Sequence, residues 1–148
     1  MKKTWKSFLD NYGNDTTNNF QLEKYAKDLG IPNFNCLMRD ELNDLSIENL
    51  PLNIIINLHT SNQKGVHWSM ISVPNIKKAY YFDSYGLPPT KEVKSFLKPI
   101  KNKICSTFKL QDFDDKYCGI MCLYILDQLN NNNNFVNIVT HIFTSKNE

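Results

Sequence analysis

Four side chains in this sequence could together attack and hold a carbonyl group: His67, Asp83, Gln111 and Cys118. Cys118 stands in Lys116-Tyr117-Cys118-Gly119, just before the apolar run Ile120-Met121-Cys122-Leu123-Tyr124-Ile125-Leu126, which reads as a buried helix. A thiol at a helix N-terminus meets unpaired backbone N–H groups and the positive end of the helix dipole, and both favour the thiolate. His67 offers an imidazole to hold the thiol's proton. Asp83 offers a carboxylate that can accept from the other ring nitrogen and so set the tautomer. Gln111 could donate an amide N–H to a developing oxyanion, with the Cys118 backbone N–H as second donor. The chemistry would be attack on a carbonyl and hydrolysis through an acyl-enzyme, with acyl transfer to another acceptor as a rival.

Each residue also has a plainer reading. A cysteine at the start of an apolar helix is most often a small buried residue. A histidine beside Trp68 on a strand is more often structural. Asp83 before Ser84-Tyr85-Gly86 could open a turn by bonding its own backbone, and Gln111 could be an ordinary polar loop residue. The order His, Asp, Gln, Cys in one chain carries more weight than any member alone.

Positioning these groups needs a hairpin and a helix. Val66 to Val73 and Ala79 to Phe82 read as strands on either side of Pro74-Asn75-Ile76-Lys77-Lys78. Cross-strand neighbours on one face come close enough for an imidazole and a carboxylate to meet. Ile54 to Leu58 is a β-branched run suited to a central strand, and Ile104 to Leu110 reads as a further strand. Helices are expected over Phe20 to Leu29, after an N-cap at Thr90, from Cys118 onward and over Phe135 to Phe143. Asn19 would cap the first of these and Gly30 would end it. Residues 1–19 are polar, turn-rich and flexible by this reading, 31–50 are irregular, and the asparagines 130–134 form an exposed loop. The whole is one α+β domain with a small mixed or antiparallel sheet.

At 148 residues the chain can bury a core without disulfides. A net charge of +2 is too small to argue for nucleic acid by itself. Lysine dominates the cations, with Arg39 the one arginine, and a Lys91, Lys94, Lys98, Lys101 stripe reads as a solvated helix face. The four cysteines lack the spacing of a secreted disulfide framework, and no apolar stretch approaches the roughly 20 residues of a membrane span. A soluble protein of a reducing compartment is expected, with free thiols. Cys118 and Cys122 with His141 make a poor zinc set, because the two thiols share an apolar helix without a CxxC partner. His59 reads as structural and Cys105 as core. Asp112, Asp114 and Asp115 lack the glycine and distal glutamate of a calcium loop. No metal and no cofactor is expected.

Gly65-Val66-His67-Trp68, Tyr81-Phe82-Asp83-Ser84-Tyr85-Gly86, and Gln111 seven positions before Cys118-Gly119 resemble the histidine, acidic and glutamine–cysteine motifs of the adenovirus-type (adenain-like) cysteine proteases. Softer similarity covers Lys27 to Gly30 and Phe34 to Leu42. The resemblance implies a papain-like fold with the sheet packed on a catalytic helix, and a Cys118–His67–Asp83 triad with Gln111 at the oxyanion. It implies a protein or peptide substrate with small residues near the scissile bond. Trp68 would wall the cleft, and Met38, Arg39 and Asp40 would contact substrate. Processing of viral or virus-like structural proteins follows from it, in the host cytoplasm, a virus factory or the virion. Deconjugation of ubiquitin-like modifiers needs the same machinery and stays open, as does a non-catalytic binding module. The chain largely lacks an extension after the catalytic helix, and no matched motif supports a nucleic-acid or peptide activator.

Overall fold

The structure, a computed structural model, describes residues 3–13, 18–58, 67–106, 109–110 and 117–146. Five strands form one mixed sheet in the order β1 (Phe34–Met38), β2 (Leu52–Asn57), β3 (Trp68–Asn75), β4 (Lys78–Asp83) and β5 (Asn102–Cys105). The inner pairs, β2–β3 and β3–β4, are antiparallel, while the outer pairs β1–β2 and β4–β5 are parallel. Helices α1 (Trp5–Tyr12), α2 (Asn19–Leu29), α4 (Cys118–Asn130) and α5 (Phe135–Lys146) gather on one face with Ile55, Met70 and Phe82. The other face packs Ile54, Ile56, Ile71 and Tyr81 against α3 (Lys91–Phe96) and a 3₁₀ turn over Arg39–Asp44. With both faces covered, β2 is buried along its whole length, as its unbroken Ile54-Ile55-Ile56 run requires.

The α+β class and mixed sheet agree with the sequence reading, and so does the buried helix beginning at Cys118. Eleven residues of α4, from Cys118 to Gln128, are buried. A helix apolar on every side has to lie inside, and α4 is enclosed by α1, α2, α5 and β3. Gly30 ends α2 in the left-handed conformation at φ 71°, which a glycine reaches without a Cβ penalty. Its N-cap is Asn18 and not Asn19: the Gln21 N–H donates to Asn18 Oδ1, and the Asn18 N–H donates back to Gln21 Oε1.

Three regions differ from the expectation. Residues 5–12 are helical. Trp5 and Phe8 pack on Tyr124 of α4, with ring centroids 5.6 and 5.1 Å apart, and the Ser7 N–H donates to the Thr4 cap. The Trp5, Phe8, Leu9, Tyr12 spacing was a helical signal hidden among polar residues. Residues 34–38 form a strand where irregular chain was expected. Their own alternation is weak, and parallel pairing with β2 makes the strand. Last, β5 begins at Asn102, earlier than expected, and Cys105 is exposed on this edge strand instead of lying in the core. His59, Gly65, Val66, Gln111, Asp112, Asp114 and Asp115 lie outside the described residues. Among the described residues no helix is long and apolar enough to cross a membrane.

Candidate active site

A two-residue turn, Ile76-Lys77, joins β3 and β4, and their register sets Ser69 opposite Asp83. Side chains two apart on a strand share a face, so His67 falls on the same face as Asp83, diagonally across the pair. His67 Nε2 and Asp83 Oδ2 are 3.1 Å apart. The carboxylate is 0% exposed and the imidazole residue 8%. A buried carboxylate is costly unless its lone pairs are taken. Here Oδ1 accepts the Tyr85 N–H at 2.8 Å, and the Asp83 N–H donates to Ser106 Oγ at 3.3 Å. The Gly86 N–H closes the turn on the Asp83 carbonyl at 2.9 Å, with Gly86 at φ 73°. Asp83 is therefore both a turn-former and the partner of His67; the two readings of the sequence coexist in one residue.

The thiol arrives from the opposite side. Helix α4 crosses β3 so that the Cys122 thiol meets the Trp68 carbonyl at 3.7 Å. One turn earlier, Cys118 opens the helix, and its sulfur acts on the His67 imidazole. Burial by itself would lower the pKa of His67. Hydrogen bonding and charge from Asp83 and Cys118 outweigh burial and raise it from 6.5 to about 9. The imidazole is thus held protonated at neutral pH between a carboxylate and a sulfur. Among the described residues, Nδ1 has no partner at ordinary hydrogen-bond length.

The pKa values of Cys36, Cys105 and Cys122 are all raised. Burial pushes Cys36 up to about 12, helped by the charges of Glu23 and Glu41. Burial also raises Cys122 well above the ordinary thiol range, and raises Cys105. Cys118 is the cysteine whose sulfur acts on the His67 imidazole. His141, weighed above as a metal ligand, instead accepts the Trp5 N–H on Nε2 at 3.0 Å and so holds α1 to α5.

The four residues expected to contact substrate lie in two places. Trp68 and Met38 line one groove of about 310 Å³, together with Cys36, Leu37, Glu41 and Asn57. Trp68, the neighbour of His67 in the chain, is the link between this groove and the His67–Asp83 pair. Arg39 and Asp40 are not among its walls. The Arg39 Nε lies 3.6 Å from Glu92 Oε2 of α3, on the far side of the sheet. Sequence reasoning assigned no role to Tyr85, whose ring stacks on His67 with centroids 4.7 Å apart and planes at 28°. The turn that follows Asp83 carries Tyr85 back over the imidazole, and no local pattern in the sequence signalled that contact. Ser106 lies far along the chain from Asp83, and nothing in the sequence pointed to their bond.

A cysteine heading a buried helix, faced by a His–Asp pair at the end of a sheet, is the layout of the papain-like cysteine-protease fold. Among solved structures, the chain is similar to the ASFV pS273R protease: TM-score 0.61 and 14% identity over 82% of this chain and 61% of that one. The selenomethionine form of the same protease gives TM-score 0.62 and 14% identity over 86% and 65%. The chain thus has the fold of a viral cysteine protease, and it spans less than two thirds of the length of the chains it matches. No protein-family model matches the sequence, and no curated protein is similar to it at a significant level.

Proposed function

We propose that the chain is a cysteine peptidase of the adenain-like kind, with Cys118 as nucleophile, His67 as proton carrier and Asp83 as the group that orients His67. The observation that carries this is the 3.1 Å contact between His67 Nε2 and a fully buried Asp83, with Cys118 acting on the same imidazole. The Cys118 thiolate adds to a peptide carbonyl carbon, and the carbonyl π pair moves onto oxygen. Collapse of that oxyanion breaks the C–N bond, and the imidazolium delivers its proton to the departing amine. Water then adds to the thioester as neutral His67 takes its proton, and the C–S bond breaks to return the thiolate. Gln111 and the Cys118 N–H stabilise both oxyanions in this reading. The peptide lies along the Trp68–Met38 groove, and its source is a structural or polyprotein precursor of a virus or virus-like element. The deciding experiment is cleavage of a Gly-rich peptide library by the wild-type protein beside Cys118→Ala. Cleavage lost in Cys118→Ala supports the reading. No peptide cleavage, with release of a ubiquitin-like modifier instead, would make the protein a deconjugating isopeptidase. No turnover of either kind would leave a binding module.

A further inference from the structure

The Asp83–Gly86 turn grips the His67–Asp83 pair twice. The Tyr85 backbone N–H occupies Asp83 Oδ1 at 2.8 Å, which turns Oδ2 toward the imidazole. The Tyr85 ring lies over the imidazole face at 4.7 Å and 28°. A hydrogen bond between Nε2 and Oδ2 fixes one atom of the His67 ring but leaves the ring free to rotate about that contact. Rotation would swing Nδ1 away from Cys118. A flat ring stacked on the imidazole removes that freedom and covers its face, while Asp83 itself is fully enclosed.

We infer that Tyr85 is a positioning residue: its ring fixes the plane of the His67 imidazole so that Nε2 meets Asp83 while Nδ1 faces Cys118, and it keeps water off the His67–Asp83 bond. This rests on the peptidase reading of the site. Among the described residues, the charged and titratable groups acting on His67 are Asp83 from the end of β4 and Cys118 from α4. Tyr81, the next phenol on the same face, is turned to Ser69 Oγ at 3.1 Å. Tyr85 contributes no charge, so its effect is one of geometry and of solvent exclusion. The stack needs the aromatic ring and not the hydroxyl.

The test pairs kinetics with a readout that does not depend on turnover. Tyr85→Ala leaves the backbone N–H to Asp83 in place and removes the ring. It should lower kcat about tenfold or more with KM within about twofold, because a small misplacement of a catalytic group is expensive in rate. Tyr85→Phe should stay within about twofold of wild type in both constants, since it keeps the stack. In the proton NMR spectrum, the His67 Nε2 proton bound to Asp83 should give a downfield signal, assigned by its loss in His67→Gln. That signal should persist in Tyr85→Phe and vanish by exchange with water in Tyr85→Ala. If Tyr85→Ala does not fold, Tyr85→Leu replaces it, filling similar volume without a flat face, and the signal should be lost there too. A signal and kcat equal to wild type in the Ala or Leu variant overturn the inference even if the protein is an active peptidase. A wild-type protein without peptidase activity, in which the signal still depends on the Tyr85 ring, would refute the peptidase reading and leave the positioning role standing.

Discussion

Replacing Asp83 with Asn is the sharpest perturbation, because the amide fits the same space and changes little but charge and proton direction. Its oxygen can still accept the Tyr85 N–H that Asp83 Oδ1 accepts at 2.8 Å. Its NH₂ group then faces His67 Nε2, which must become an acceptor, so the ring proton moves to Nδ1 and the imidazolium loses its anchor. Burial is the largest influence on His67 and lowers its pKa, so without the carboxylate the value of about 9 should fall toward the ordinary 6.5, with Cys118 alone still raising it. Near pH 8, a group of pKa about 9 is about nine-tenths protonated, whereas one at 6.5 is only about 3% protonated. The loss of the imidazolium is therefore about thirtyfold, or about 2 kcal/mol in the barrier if the protonated form carries the reaction. The assay is kcat/KM on one peptide from about pH 6 to about pH 10. Wild type should lose activity on an alkaline limb near 9, and Asp83→Asn should show that limb shifted down toward 6.5. An Asp83→Asn limb unchanged near 9 would refute the idea that Asp83 holds the proton on His67.

A thiol-directed electrophile at neutral pH should label Cys118 ahead of the exposed Cys105; faster labelling of Cys105 in the folded protein would contradict the activated thiol. The same His67 shift carries a stability signature. The folded-state pKa lies above the unfolded value, so the stabilisation is fully present below 6.5 and disappears as pH rises through about 9. It is seen as a fall in Tm across that window that His67→Gln should lack. Gln111→Ala should reduce kcat by about 10² to 10³ with KM little changed, the cost of one preorganised oxyanion donor. A raised KM at constant kcat would make Gln111 a substrate contact. His67→Ala should be nearly as damaging as Cys118→Ala in the same assay, and substantial activity in it would remove His67 from the reaction.

Periodicity carried much of the fold, and it failed where pairing partners decide. The buried helix from Cys118, the fully apolar β2 and the β3–β4 hairpin were legible because each writes a local pattern: apolar on all sides, a β-branched run, two runs around a turn. β1 was not legible, since a half-buried edge strand with an asparagine and a cysteine inside it has no pattern of its own. The ladder to β2 provides the reason for its conformation. Cys105 was misassigned for the related reason that an edge strand exposes what an inner strand would bury. The helix over residues 5–12 had a signal four residues deep, but its stability comes from Tyr124, more than a hundred positions away.

The candidate site shows the same division. Residue type and order by themselves narrowed which groups could do the chemistry, because four cysteines and three histidines leave few pairings, although 15 acidic side chains leave many carboxylates. The hairpin spacing alone made a meeting of His67 and Asp83 geometrically sensible, since a strand's period of two puts both on one face. Tertiary structure decided what the chain order does not encode. Packing of α4 across β3 brought Cys118 to the imidazole, and closure of the Asp83–Gly86 turn brought the Tyr85 ring over it. The groove joining Met38 to Trp68, with Arg39 turned away to Glu92, follows from parallel pairing of β1 that no local propensity signals. Local pattern is written in adjacent residues. Proximity across a sheet is set by burial of the whole core, and the sequence states that only collectively.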